Sequence, residues 1–389
     1  MVEKQEINST IKNKINNIDD FFRNTYLSFE NLSAKNRSLV GWFCSYTPEE
    51  LITAGEFIPC RIFGRKKMSR SESYFPINFC PYIKSGLESF LDPGSIAGFK
   101  GLIFTNSCDG MRRFYDIAHS YLKDTPSFFL DVPHLNGSDS VEFFSNNIKD
   151  MKIFLEKIRG KKITASEIEK AIITINRKRE LIRELNLFFK KYPGILNINT
   201  YFEIMELSLT SAPSIFIDDL KKYLIFIKEI TDSNKADLLI ENKNSVPIMI
   251  IGNFIAEKKL WEMLSTMNLN IAFDDLCTSM RYFEKQIELD SSIDPIIQIA
   301  RRYLNKPACM RMTELSLKLS EIENNIIKND IKGVLFISLK FCDTMLYFFP
   351  LLKKKMNEMG IPILYLEVEY NNFSEGQART RLEAFLETL

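Results

Sequence analysis

The chain has 389 residues, 45% of them hydrophobic and 26% charged, with a formal net charge of +1. That length exceeds one ordinary core and predicts two or three domains. The near-balanced charge gives no electrostatic basis for a nucleic-acid partner. The N-terminal stretch MVEKQEINSTIKNKINNIDD has no apolar h-region, and no run of about 18 apolar residues occurs. No signal peptide and no membrane span are therefore expected, and a cytoplasmic placement follows. Seven cysteines without an export signal point to a reducing compartment, where they serve as thiols or metal ligands. His119 and His134 are the two histidines, which argues against His-rich zinc sites and leaves few Cys-His or Ser-His pairings.

Residues 1–37 alternate apolar and charged positions at helical spacing and predict a leading helix. SLVGWFC (38–44) reads as a strand, TPEELITAGEF as a helix opening on Pro48, and IPCRIFG as a second strand. NFCPYIKSGLESFL sets Cys80 directly before Pro81, at a helix start. GLIFTN and SFFLDVP are two further strands, and CDGMRRFYDIAHSYL between them is a helix. Alternating strands and helices predict a parallel sheet in an α/β fold. From about 141 to 245 the pattern is helical, and Thr164 with Glu167 forms a capping-box signature for a long helix. The strand pattern resumes with VPIMIIGNF (246–254), NLNIAFDDLC (268–277), KGVLFISLKFC (332–342) and IPILYLEVEY (361–370). The last helix, QARTRLEAFLETL, aligns Leu382, Phe385, Leu386 and Leu389 on one face.

The two α/β parts echo one another. GLIFTNSCDGMRRFYD and GVLFISLKFCDTMLYFF each run from an apolar strand into Cys-Asp and then a helix. In each copy a Leu-acid-Val strand and an amphipathic helix follow. The predicted organisation is an N-terminal helical segment (1–37), an α/β domain (38–140), a helical segment (141–245) and a second α/β domain (246–389). The two open sheets are expected to face each other. The basic Gly110-Met111-Arg112-Arg113 of the first copy is expected to face a charged ligand or partner. The apolar Thr344-Met345-Leu346-Tyr347 of the second is expected to face packed protein.

In open parallel sheets, sites form beyond the carboxyl ends of the strands. Cys44, Cys80, Cys108 and Cys342 sit at such ends or at helix starts, and Cys108 and Cys342 precede helices whose amides and dipole favour a thiolate. Three or four thiolates in a reducing compartment suit an iron–sulfur cluster or zinc. No C-x-x-C pair occurs, and buried free cysteines packed as small hydrophobes are the plain alternative. Cys60, Cys277 and Cys309 are assigned to that alternative. Lys84, Arg112 and Arg113 could bind phosphate, although exposed helix basics are ordinarily solvated. Asp274, Asp275 and Arg281 beyond a strand end suit a ligand loop, while a helix cap explains Asp275 equally well. Neither G-x-x-x-x-G-K-[ST] nor G-x-G-x-x-G is present, which argues against ATP or dinucleotide binding in the usual way.

Five stretches, GWFCSYTPEELITAGEFIPCRIFG, NFCPYIKS, NSCDGMRRFYD, LKFCD and QARTRLEAFLETL, run in order from about residue 38 to the C-terminus. Together they resemble the 2-hydroxyacyl-CoA dehydratase D-component family, which includes benzoyl-CoA reductase subunits and double-cubane cluster proteins. The resemblance implies two flavodoxin-like parallel-sheet domains facing a central cleft, plus a helical part. It implies a 4Fe–4S cluster held by Cys80, Cys108 and Cys342, with Cys44 close by. It makes Ser45 and Glu50 candidates for catalytic polar contacts.

The implied reaction removes water from a 2-hydroxyacyl-CoA. One electron added to the thioester carbonyl gives a ketyl, which expels the neighbouring hydroxyl and acidifies the β-proton. The implied partners are a paralogous dehydratase subunit, an ATP-dependent iron–sulfur activator that supplies the electron, and the acyl-CoA substrate. The alternatives are a benzoyl-CoA-reductase-type or double-cubane reductase subunit, and a non-catalytic subunit that only relays electrons. Thr344 and Phe348 stand where relatives often carry proline and an acid, and residues 81–107 lack the further cysteines of the double-cubane members.

Overall fold

The structure, a computed structural model, describes residues 38–64, 67–92, 96, 98–192, 196–231, 245–267, 269–370 and 372–389. The expected leading helix over 1–37 lies outside them. The first α/β unit contains β1 (Leu39–Trp42), α1 (Glu49–Ala54), β2 (Ile58–Arg61), α2 (Pro81–Glu88), β3 (Phe99–Thr105), α3 (Asp109–Tyr121) and β4 (Ser127–Leu130). Four helices follow: α4 (Ser138–Arg159), α5 (Ala165–Lys191), α6 (Ile198–Thr210) and α7 (Pro213–Ile230). The second unit has β5 (Pro247–Gly252), α8 (Lys258–Ser265), β6 (Asn270–Asp275), α9 (Met280–Phe283), α10 (Pro295–Asn305) and α11 (Leu315–Lys328). It ends with β7 (Gly333–Leu339), α12 (Asp343–Glu358), β8 (Ile363–Val368) and α13 (Glu375–Leu386).

Every strand pairing is parallel, and the two four-stranded sheets have matching orders, β2-β1-β3-β4 and β6-β5-β7-β8. That is the start of the doubly wound flavodoxin-like order. The central strands β1 and β7 are buried along their whole length, as strands covered on both faces must be. Phe43, Phe104 and Phe114 fill the space between the first sheet and α3, with ring centroids 4.6–5.1 Å apart. The expected repeat is therefore a structural one: β3 and β7 hold the same place in their sheets, and each hands the chain to a helix capped by cysteine.

Local chemistry sets the helix ends. Thr164 and Glu167 form the capping box at the start of α5, and proline opens α2, α7 and α10. The helical segment is a spine touching both units. From α5, Lys178 pairs with Glu49, Arg179 with Glu50, and the Asn176 amide donates to the carbonyl of Ile287 at 2.7 Å. α13 closes the second unit with Leu382 and Phe385 buried.

The apolar start of α12 departs from its expectation. Met345 and Phe348 pack inward, but Leu346 and Leu351 stay exposed and Tyr347 is 79% exposed, because an amphipathic helix on a sheet face buries one side only.

Gly64 shows how tightly the cysteine-bearing α2 is set. Its φ is +56°, and a Cβ there would meet the backbone of α2, with Gly86 N at 2.8 Å and Ser85 C at 3.1 Å. Gly160 has a similar φ of +75° but open space around it. Gly64→Ala should lower stability by about 2 kcal/mol or more, combining left-handed strain with a backbone collision, and Gly160→Ala by about 1 kcal/mol. Urea midpoints of the two variants check this; equal shifts would refute the packing argument.

Candidate functional site

The switch point of each sheet lies where the chain leaves for opposite sides, between β1 and β3 and between β5 and β7. Cys44 follows β1, Cys108 follows β3, Asn253 follows β5 and Cys342 follows β7. The two carboxyl ends meet: Phe254 beyond β5 stacks on Tyr82 at 3.9 Å, and Arg61 at the end of β2 donates to the carbonyl of Cys277 beyond β6 at 2.5 Å. The loops beyond the two sets of carboxyl ends thus share one region.

Cys80, Cys108 and Cys342 are the N-cap residues of α2, α3 and α12, and all three are partly buried. Phe341, just before Cys342, adopts φ +58°, an uncommon backbone for a bulky side chain. Strain of this kind collects at functional sites.

Burial pushes the Cys108 thiol up to about 12, Cys80 adds to it, and the Met111 amide, 3.4 Å from Sγ, opposes it. Burial also lifts Cys342 well above the ordinary range, with Cys80, Cys108 and Cys309 adding to it and the Met345 amide opposing. Cys80 is raised by burial, against the amides of Ile83 and Tyr82. Asn253 donates from Nδ2 to Cys342 Sγ at 2.9 Å. The three thiols therefore stand near enough to resist joint ionisation. Each nonetheless has backbone amides aimed at sulfur, so a cationic group among them would release three protons and be held by three thiolates. Among the described residues no three Cys, His, Asp or Glu side chains converge as the ligands of one ion would.

The other sequence candidates fall in different places. Ser45 is buried in the turn after β1, beside Cys44. Glu50 is fully buried and takes Arg179 Nη2 at 2.5 Å and the Tyr303 hydroxyl at 2.9 Å. Burial alone would raise its carboxyl, but Arg179 and Arg302 hold it below the ordinary range. Its polar partners are thus the α5 spine and α10. Lys84 Nζ is tied to the carbonyl of Ile77 at 2.8 Å, and Arg113 forms an exposed pair with Asp116. Asp274, rather than Asp275, caps α9 by accepting from the Met280 amide at 3.1 Å, because its carboxylate points along the turn. Asp275 pairs instead with Arg281 (2.7 Å) and Lys318 (3.0 Å).

Cys60 is a fully buried thiol on β2, which suits the small-hydrophobe reading. Cys277 Sγ accepts from Arg61 at 3.3 Å. Cys309 acts electrostatically on Cys108 and Cys342 and is itself raised, first by burial and then in part by Cys44 and Cys277. It belongs to the same region, and its sequence context, KPACMRM, carries no strand-end signal that could have placed it there.

The sequence pattern of the family described as 2-hydroxyglutaryl-CoA dehydratase, D-component, matches residues 44–389. The chain is similar to the (R)-phenyllactyl-CoA dehydratase beta subunit of Clostridium sporogenes, with 26% identity over 96% of this chain and 100% of that one. It is similar to the beta subunit of (R)-2-hydroxyglutaryl-CoA dehydratase of Acidaminococcus fermentans, with 24% identity over 92% and 93% of the two chains. A benzoyl-CoA reductase subunit of Thauera aromatica is 20% identical over 91% of each. With the match running unbroken from the first switch point to the last helix, the chain belongs to the 2-hydroxyglutaryl-CoA dehydratase D-component family.

Proposed function

We propose that the chain is the iron–sulfur subunit of a 2-hydroxyacyl-CoA dehydratase, paired with a related subunit and served by an ATP-dependent activator. The observation that carries this reading is the set of Cys80, Cys108 and Cys342. They cap three helices at the meeting carboxyl ends of two sheets and raise one another's proton affinity. The names of the similar proteins support the substrate class and the pairing of subunits.

A 4Fe–4S cluster bound there would supply a single low-potential electron to a thioester. The rest falls to the chain itself. The amides of Met111 and Met345 and the side-chain amide of Asn253 hold sulfur charge in place. The buried rings of Phe254, Tyr82 and Phe63 pack together beside this region and would help to keep water from the radical chemistry. Cys44, in the turn after β1, acts electrostatically on Cys108, and Ser45 follows it in the chain.

Anaerobic co-expression with a candidate partner and activator, followed by a screen of 2-hydroxyacyl-CoA thioesters, tests the reading. The expected result is an iron- and sulfide-containing complex that forms the 2-enoyl-CoA. An iron-free protein after anaerobic handling would sink it. The similarity to a benzoyl-CoA reductase subunit favours a reductase as the second reading. Reduction of an aromatic thioester, without dehydration, would establish that reading instead.

A further inference from the structure

Beside the three capping cysteines lies a second group that no part of the proposed electron chemistry uses. Lys306 follows α10 and is 3% exposed, yet among the described residues its Nζ has no hydrogen-bond acceptor. The face of Tyr46 lies against it, with Nζ 3.8 Å from the ring centroid. Tyr46 is itself fixed, its hydroxyl accepting from the Cys309 amide at 3.4 Å. Arg281 is 1% exposed and uses Nε and Nη2 on Asp275 and Gly252, while its Nη1 is buried without an acceptor among the described residues. An unmatched buried donor costs about 1–3 kcal/mol, and more when it is charged. Two such cations beside one group of residues form a cradle built for something negative.

We propose that Lys306, backed by Arg281, is the recognition group of a buried oxyanion subsite next to Cys44 and Cys309. The ligand class is a small oxyanion: a carboxylate, or the oxygen of an acyl thioester as it gains negative charge. The thioester source rests on the dehydratase reading, and the carboxylate source does not.

The groups facing Lys306 are Tyr46 and Cys44 from the turn after β1, Cys309 from its own loop, Arg302 from α10 and Arg281 from α9. Burial pushes the ammonium down to about 7, Arg302 and Arg281 add to that, and Cys44 and Cys309 oppose it. An oxyanion would stabilise the ammonium and raise its proton affinity. Binding should therefore be firm below about pH 7, weaken as pH rises above it, and take up a proton near neutrality.

The test uses calorimetry on the full chain, purified anaerobically, with lactate as the carboxylate probe and lactoyl-CoA against free CoA as the thioester probe. The expected result is binding of at least one oxygen-bearing probe, with proton uptake seen as a buffer-dependent heat. That binding should weaken about tenfold or more in Lys306→Met and be retained in Lys306→Arg. Lys306→Met should melt no lower than the parent, because it removes an unpaired buried charge, and its iron content should match. Lactoyl-CoA bound with free CoA excluded, in a Lys306-dependent way, supports the thioester source. Lys306-dependent binding of lactate alone keeps the subsite and counts against the dehydratase reading. Binding unchanged in Lys306→Met, no binding of either probe, or loss of iron in that variant would each overturn the proposal.

Discussion

Replacing Cys108 by serine should strip the chain of most of its iron, from about four atoms per chain, as a 4Fe–4S cluster requires, to less than half of that. Serine keeps the size and the N-cap, so the Met111 amide that now donates to sulfur at 3.4 Å would donate to the hydroxyl and α3 would still start in place. What serine cannot do is lose its proton readily. The Cys108 thiol is already lifted to about 12, by burial first and then by Cys80, and an alcohol begins several units higher still. Only a thiol that yields its proton to bound iron can hold the group there. Cys80→Ser and Cys342→Ser should behave alike, because each is likewise the N-cap of a helix and a thiol raised first by burial. Cys309→Ser should keep its iron, since Cys309 caps no helix at a strand end. Iron and acid-labile sulfide per chain after anaerobic purification decide the matter, with the visible absorption band as a second readout and circular dichroism confirming the fold. An unchanged spectrum in Cys108→Ser would end the ligand assignment, and equal iron loss in Cys309→Ser would move the site toward Cys44.

How much of this was legible in the sequence depends on range. The strands are, because a parallel strand buried on both faces leaves an unbroken apolar run, as GVLFISL does in β7. The duplicated Cys-Asp ending is local too, and the matching sheet orders explain it. Within the helical segment the sequence signals single out no separate helix at 198–210, and they leave 258–265, 295–305 and 315–328 unassigned, yet each folds as a helix. For 295–305 the signal was present, since Asp294 caps the helix and Pro295 occupies its first position. In α6 the difficulty is physical: it is buried nearly all round, so polar residues such as Asn199, Thr200 and Ser208 are also interior and the amphipathic period is lost. Arg281 is legible as part of a candidate ligand loop beyond a strand end, but Lys306 and Tyr46 are not, because a lysine becomes informative only when its tertiary neighbours leave it buried without a partner. Glu49 and Glu50 show the same limit. At a helix start they read as residues that favour the dipole, and only the fold reveals the cations from α5 that neutralise them.

Those two pairs carry the second large expectation: Lys178→Met should cost about 3–5 kcal/mol of stability. Lys178 and Glu49 are both essentially inaccessible, and Lys178 also donates to the carbonyl of Ser208 at 2.9 Å, so it fastens α5 to α1 and α6 together. Burial pulls its ammonium down, and Glu49 is the first group to oppose that. Removing the lysine leaves Glu49 charged in a dry place, with the Tyr282 hydroxyl at 3.0 Å as the side-chain donor still facing it. The cost is therefore one of stranding a charge, more than of losing an attraction. Lys178→Met combined with Glu49→Gln should regain most of the loss, because the amide needs no counter-charge and can still accept from Tyr282. Arg177→Ala, which breaks an exposed pair with Glu180 one residue earlier on the same helix, should cost roughly 0.5 kcal/mol or less. Urea midpoints of the four proteins, read by circular dichroism and by tryptophan fluorescence, separate the cases. If Lys178→Met shifted no further than Arg177→Ala, the buried network would not be what joins the helical spine to the first sheet. If the double variant fell as far as the single one, lost packing rather than a stranded carboxylate would account for the loss.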